Sequence, residues 1–188
     1  MEESLRLFIA INFPSSVKKQ IGHLVGELVK KYPEIRWEKE ENFHLTLKFL
    51  GWSRSKIEEI IQGMERSVEE TKPFWFQPEK LGFFLRQNLI VWLGVKTQEG
   101  LLKIVKNLED KMGQIGFPKE TRPASFHITI GRAKRVSPRE KWQRIALEIS
   151  NFPKALFPKF KVKEIDLMKS RLTAHGSIYS IVKKIPLT

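Results

Sequence analysis

The stretch FHLTLKF, residues 43–49, and the stretch FHITIGR, residues 126–132, begin with the same pattern of phenylalanine, histidine, aliphatic residue, threonine and aliphatic residue. Alternation of apolar and polar residues predicts a half-buried β-strand, because successive side chains of a strand point to opposite faces. In the first stretch the apolar face carries Phe43, Leu45, Leu47 and Phe49, and the polar face carries His44, Thr46 and Lys48. The sequence therefore predicts a strand that is anchored by one face and presents an imidazole beside a hydroxyl on the other.

The second stretch repeats this arrangement, with His127 and Thr129 on the face opposite its aliphatic residues. In a regular strand Arg132 would lie on the wrong face to meet His127, so it reaches the histidine only if the strand contains a bulge or ends there. One histidine–x–threonine strand is typical of the solvent face of a sheet. Two copies in the same frame favour a shared function.

Outward from these two strands, the chain alternates apolar runs with amphipathic helices. Strands are predicted at 5–12, 43–50, 74–84, 89–96, 126–132, 159–168 and 177–185, in the order β-α-β-α-ββ-α-β-α-ββ. Each half then offers a His-Thr strand after its first helix. The 188 residues contain no linker, and this order predicts one α+β domain of two similar halves, with antiparallel or mixed sheets and helices on their outer faces.

Local signals mark the helix ends and one turn. Capping boxes, Ser55 with Glu58 and Ser137 with Glu140, predict the starts of the second and fourth helices, and Pro138 fits the first turn of the fourth. The third helix is predicted over 98–115, ending before Gly116. A hairpin turn is predicted at 85–88.

The composition favours a polyanionic partner. Lysine and arginine number 34 against 21 acidic residues, which gives a net charge of +13. Such an excess suits nucleic acid or an anionic membrane surface, although it could also serve only solubility. No cysteine is present, so disulfides, thiolate metal sites and cysteine nucleophiles are excluded. The sequence has no membrane-span-like run and no secretory polarity at its start, which predicts a cytoplasmic protein that acts without a membrane.

Two facing imidazoles suit acid–base chemistry at a phosphodiester. One neutral histidine can deprotonate water while a protonated one donates to the leaving oxygen. Threonine hydroxyls can hold the non-bridging oxygens, and Lys48, Arg122 and Arg132 could carry the phosphate charge. A metal site is the competing interpretation, but two histidines without a neighbouring carboxylate are too few ligands. We interpret His23 as a helix residue and His175 as a turn residue.

The HLTL at 44–47 and HITI at 127–130 resemble the paired HxTx motifs of the 2H phosphoesterases. Within that superfamily the chain resembles the RNA 2′,3′-cyclic phosphodiesterases, also called 2′-5′ RNA ligases, along nearly its whole length. Similar segments are RLFIAINFP at 6–14, ENFHLTLKFLG at 41–51, LIVWLGV at 89–95, HITIGR at 127–132 and LMKSRLTAHGSIYS at 167–180. Two departures are Phe126, where the family often has proline, and LGFFL at 81–85, where it often has G-x-FP.

The resemblance implies a bilobal fold whose histidines face each other across a central cleft. It implies hydrolysis of RNA 2′,3′-cyclic phosphate ends to 2′-phosphates, with reversible ATP-independent 2′-5′ joining as a second reaction. We expect a monomer that uses neither metal nor cofactor. By the same resemblance His44 is the proton donor and His127 the acceptor. Thr46 and Thr129 hold the phosphate, and Arg132 matches the family's trailing arginine.

Three further interpretations stay open at this point. Phe8, Phe83 and Trp92 are candidates for stacking a terminal base, although each also suits the core. The chain could be an RNA-binding module without catalysis. It could also act on a small cyclic nucleotide or a nucleotide-sugar cyclic phosphate.

Overall fold

The structure is a computed structural model that describes residues 5–53, 56–85, 88–122, 124–134, 138–153, 155–173 and 176–188. The described residues form ten strands and four α-helices. The strands are β1 (Leu5–Asn12), β2 (Ile35–Trp37), β3 (His44–Ser53), β4 (Phe74–Phe76), β5 (Pro78–Leu85), β6 (Leu89–Val95), β7 (His127–Ala133), β8 (Phe160–Val162), β9 (Glu164–Thr173) and β10 (Gly176–Pro186). The helices are α1 (Ser15–Lys31), α2 (Ile57–Val68), α3 (Glu99–Gln114) and α4 (Arg139–Ser150). The predicted α+β class is confirmed.

The strands form two four-stranded sheets and one two-stranded sheet. The first sheet has the order β10-β9-β1-β3 and the second β2-β7-β6-β5, while β4 pairs with β8. Every pairing is antiparallel. Each predicted His-Thr strand belongs to a different sheet, with β3 at the edge of the first and β7 inside the second.

The sheets do not follow the two halves of the sequence. The first sheet joins β1 and β3 to the last two strands, and the second takes β2 from the first half of the chain. Helices α2 and α3 pack on each other and on the first sheet, whereas α1 and α4 pack on the second. Strands β9 and β10 thus join the sheet of β1 and β3, while β2 joins the sheet of β7. The expected resemblance of the halves holds for the His-Thr strands and not for the strand order.

One continuous apolar core lies beneath both His-Thr strands. Leu45 of β3 and Ile128 of β7 are fully buried in the same cluster, together with apolar side chains from all four helices. Burial of such side chains stabilises the fold by roughly 25 cal/mol per Å² of apolar surface. The apolar faces of both strands are thus fixed, which holds their polar faces in place.

Several local expectations were incomplete or fall outside the described residues. The three-residue strand β2 was not predicted, and the runs at 74–84 and 159–168 are each divided into two strands. Helix α3 ends as expected, since Gly116 follows it with φ of 91°, a conformation that suits glycine. Ser55 and Ser137 of the predicted capping boxes, residues 86–87 of the predicted turn and His175 lie outside the described residues. Among the helices described, none has the length and apolar character needed to cross a membrane.

Candidate active site

A bulge in β7 brings Arg132 to the face of His127. Thr129 pairs with Trp92 and Gly131 pairs with Val91, so Ile130 has no partner of its own on β6. Ile130 and Gly131 are both buried, which shows that the alternation shifts by one residue at this point. The bulge that Arg132 needs in order to share the face of His127 is therefore present. Glycine is required at 131 because a Cβ there would lie 2.7 Å from the ring of Trp37 on β2.

A matching bulge in β3 overturns two expectations. Thr46 pairs with Ala10 and Lys48 pairs with Ile9, which leaves Leu47 as the extra residue. Lys48 therefore points to the buried side, at 5% exposure, and Phe49 to the polar side, at 70% exposure. The prediction that Lys48 shares the face of His44 was wrong, and so was the placement of Phe49 in the core, because both assumed a regular strand.

Lys48 instead joins β3 to α3. Its Nζ lies 2.6 Å from Oε2 of Glu109 and donates to the carbonyl oxygen of Pro118 at 2.9 Å. The same Glu109 oxygen accepts from the backbone N–H of Glu120. Lys48 is thus a buried structural cation, which removes it from the candidate phosphate ligands.

Each histidine is held by a backbone carbonyl two residues before it. Nδ1 of His44 lies 2.6 Å from the oxygen of Asn42, and Nδ1 of His127 lies 2.7 Å from the oxygen of Ser125. A carbonyl oxygen can only accept, so Nδ1 carries a proton in both rings and Nε2 is the atom left for chemistry. Nε2 of His44 lies 3.1 Å from Oγ1 of Thr46.

Asn42 fixes the orientation of His44 from outside the motif. Its side-chain amide donates to the carbonyl oxygen of Ser177 on β10 at 3.1 Å and approaches a carboxylate oxygen of Glu38 at 3.5 Å. Glu38 also lies 3.8 Å from Nε of Arg132. The residues that hold His44 are in this way connected to the arginine of the other strand.

Aromatic rings pack around both imidazoles. His44 contacts Phe8 and Tyr179, with ring centroids 5.0 and 5.1 Å away. His127 contacts Phe84 at 4.9 Å and Trp92 at 6.1 Å. These rings fix the imidazoles and keep water from one side of each, which is the rigid presentation that acid–base groups need.

The surroundings of both imidazoles disfavour their charged forms. Burial is the main reason that the pKa of His44 falls to about 4, and the charges of Lys18, Arg132 and His127 lower it further. Burial also lowers the pKa of His127, with Arg132 as the charge that acts on it. Arg132 thus influences both rings, and His127 influences His44. The fold has brought together the three residues that carry the predicted chemistry.

Other predicted residues lie elsewhere or are covered. Arg122 pairs with Glu120 in an exposed turn, and His23 is exposed on α1. Phe8 is 3% exposed, too buried to stack a base, and Phe83 packs on the core. Within the described ranges, no three His, Asp or Glu side chains are grouped as a metal site would need.

Three neighbours of the histidines, Asn42, Tyr179 and Phe84, were not predicted from the sequence as site residues, and neither was the exposed Phe49, which packs on Phe8. For Asn42 and Tyr179 a signal existed, since they stand inside the segments ENFHLTLKFLG and LMKSRLTAHGSIYS that carry the family resemblance. The positions of Phe84 and Phe49 depend on which strands pair and where the bulges fall, which a local pattern does not reveal.

Comparisons with known proteins identify the family of the chain. The sequence model of the protein family described as the 2′-5′ RNA ligase superfamily matches residues 13–174 of this chain. The chain is 34% identical to the RNA 2′,3′-cyclic phosphodiesterase of Thermotoga maritima, over 95% of this chain and 93% of that protein. It is 32% identical to the protein of the same name from Methanocaldococcus jannaschii, over 96% and 99%.

A solved structure with the same architecture is that of Escherichia coli LigT in apo form. The two chains superpose with a TM-score of 0.81 over 99% of each, at 26% sequence identity. Sequence and fold therefore agree over almost the entire length. The chain belongs to the 2′-5′ RNA ligase superfamily.

Proposed function

We propose that this chain is an RNA 2′,3′-cyclic phosphodiesterase that opens the cyclic phosphate at an RNA end and leaves a 2′-phosphate. The observation that carries the proposal is the pair of imidazoles on β3 and β7, each anchored through Nδ1 so that Nε2 is left for proton transfer, with Nε2 of His44 in contact with the hydroxyl of Thr46. Relatives that cover almost the whole chain carry the same name.

The proposed reaction uses one imidazole on each side of the phosphorus. His127 takes a proton from water through Nε2, and the oxygen of that water attacks phosphorus as the bond to the 3′-oxygen breaks. His44 gives the proton of its Nε2 to the departing 3′-oxygen. One water is consumed and one P–O bond is replaced by another, so no metal or cofactor is needed.

The threonines and Arg132 would hold the phosphate during this exchange. Thr46 and Thr129 lie two residues after their histidines on the same faces, where their hydroxyls can donate to the non-bridging oxygens. The side chain of Arg132 is 43% exposed and acts electrostatically on both imidazoles. It is therefore the cation best placed to balance the negative charge.

Substrate binding also has to favour the protonated form of the imidazole that acts as acid. With lowered pKa values, both imidazoles are mainly neutral at pH 7 in the free protein. An anionic phosphate beside them favours the imidazolium, so binding raises the pKa of the ring that acts as acid. By this account His44 becomes the donor only when the phosphate is present.

The wider architecture fits an RNA end. We propose that the two four-stranded sheets are the two lobes of one domain and flank the substrate cleft, and the shared core supports this arrangement. The exposed ring of Phe49, 6.4 Å from that of Phe8, offers a surface for the terminal base. Reversal of the same step, with a 5′-hydroxyl in place of water, would give 2′-5′ joining. Action as a monomer in the cytoplasm stays a prediction.

The direct test is incubation with an oligonucleotide that ends in a 2′,3′-cyclic phosphate, with chelator present throughout. Conversion to a phosphomonoester by the wild type, and its loss in His44→Ala, supports the proposal. Binding without conversion would instead identify a non-catalytic RNA-binding module. Conversion only of a cyclic mononucleotide would identify a small-nucleotide phosphodiesterase.

A further inference from the structure

Side chains along the outer part of β3 repeat at intervals of three on the face of His44. Thr46 pairs with Ala10, Phe49 with Phe8 and Trp52 with Arg6, and the extra residues at the two bulges are Leu47 and Leu50. Residues 6, 8 and 10 of β1 alternate, so they share one face, and directly paired residues lie on the same face of a sheet. Trp52 therefore continues the surface that starts at His44.

The backbone conformation at Gly51 holds Trp52 in an exposed position. It is 66% exposed, directly after Gly51, whose φ is 76°. A Cβ at Gly51 would meet nothing within 4 Å, so the glycine serves the conformation of the bulge and not a lack of space. The bulge turns a large aromatic side chain toward solvent on the histidine face.

A basic side chain accompanies this ring. Arg6 pairs with Trp52 and is exposed. In the described part of the chain, no carboxylate lies within 4.0 Å of its guanidinium group. An exposed ring beside a free cation suits a nucleotide, because the base stacks on the ring and the cation pairs with the phosphate.

We propose that Trp52 and Arg6 form a second nucleotide subsite, which binds the nucleotide immediately 5′ of the terminal one. The inference rests on the proposed function, in which the terminal phosphate lies at the histidines. Phe8 and Arg6 are two residues apart on β1, so the positions of Phe49 and Trp52 are separated by roughly 7 Å. The base of the terminal nucleotide occupies Phe49, the preceding base stacks on Trp52, and Arg6 contacts the phosphate that links them.

The test compares two substrates: adenosine 2′,3′-cyclic phosphate, and a diadenosine dinucleotide that ends in a 2′,3′-cyclic phosphate. Trp52→Ala is expected to lower kcat/KM for the dinucleotide about tenfold and to leave the mononucleotide within about twofold, given the usual strength of base stacking. Trp52→Phe is expected to retain most of the dinucleotide activity. Arg6→Gln is expected to lower the dinucleotide value alone and to flatten its salt dependence.

Trp75→Ala is the matched control, since Trp75 is 58% exposed on β4 of a different sheet. It is expected to change neither substrate. Equal losses on both substrates in Trp52→Ala, or none on the dinucleotide, would overturn the subsite. A change only in concentration-dependent sedimentation would assign Trp52 to contacts between copies instead.

A binding measurement separates this inference from the proposed function. Titration with the dinucleotide that carries a terminal 2′-phosphate is expected to quench tryptophan fluorescence in the wild type and much less in Trp52→Phe. If the protein hydrolyses neither substrate, the proposed function fails, and this titration still decides whether Trp52 contacts a nucleotide. Equal quenching in both proteins would refute the subsite.

Discussion

His44 and His127 stand 83 positions apart in the sequence, yet a charge on His127 lowers the pKa of His44, in addition to the larger effect of burial. The imidazole of His127 is therefore close enough to His44 to affect its titration. Both are held through Nδ1 by carbonyl oxygens, so neither ring can turn its Nε2 away without losing a hydrogen bond. This coupling is the basis of the predictions that follow.

The two histidines should behave as one catalytic unit. His44→Ala and His127→Ala are each expected to lower turnover of a cyclic phosphate end by at least about 100-fold. The double variant should fall little further, because groups that act in one step are not additive. Single-turnover rates of the three variants measure this. Near-normal turnover in either single variant would remove that histidine from the mechanism.

The pH profile of kcat/KM should be bell-shaped, with its maximum displaced to acidic pH. One ring must be protonated and the other neutral, but burial lowers the pKa of both in the free protein. The alkaline limb of kcat/KM, which reports the free protein, is therefore expected below the usual histidine value of about 6.5. The same limb of kcat should lie higher, because the bound phosphate favours the imidazolium. Coincident alkaline limbs in the two profiles would contradict this account of the proton.

His44 should also make the fold sensitive to acid. Its pKa is lowered from 6.5 to about 4 on folding, so the unfolded chain binds more protons as the pH falls through this window. The contribution of neutral His44 to the free energy of unfolding is fully present above pH 6.5 and is lost as the pH falls toward 4. His44→Asn is expected to reduce that loss by up to roughly 3 kcal/mol.

Urea unfolding at pH 7 and at pH 4.5 gives the comparison. His23→Asn, at an exposed position of α1, is the control and should retain the acid sensitivity of the wild type. Equal acid sensitivity in His44→Asn and the wild type would mean that His44 is not desolvated by the fold.

Lys48 and Arg132 should separate stability from catalysis. Lys48→Met removes the cation that pairs with Glu109 and is expected to lower the unfolding free energy by about 3 kcal/mol while kcat/KM stays within about twofold. Arg132→Met should do the reverse, with a loss of kcat/KM of about 100-fold and little change in stability. Denaturation and steady-state kinetics on both variants decide this. A comparable kinetic loss in Lys48→Met would restore that lysine to the phosphate site.

The sequence alone predicted the strands of both histidines, the four helices and the need for a bulge before Arg132. It did not predict where Lys48 and Phe49 point, because the bulge at Leu47 depends on pairing with β1 and no glycine marks it. In the equivalent bulge of β7 the extra residue, Ile130, is followed directly by Gly131, which is a visible signal. The exchange of β2 into the second sheet was also beyond local patterns, since three residues of strand gain their partner only in the folded chain.

The central claim is that two fixed imidazoles, one on each side of phosphorus, allow water to attack the cyclic phosphate in only one orientation. The acid must meet the leaving oxygen and the base the opposite side of phosphorus, and an error of about 1 Å can cost about 100-fold. One product should therefore dominate. Thr46→Val and Thr129→Val should slow the reaction without changing that product. The decisive measurement is chromatography of the hydrolysed RNA end against 2′-phosphate and 3′-phosphate standards. We predict a dominant 2′-phosphate, whereas a dominant 3′-phosphate or an even mixture would contradict the assignment of His44 as acid and His127 as base.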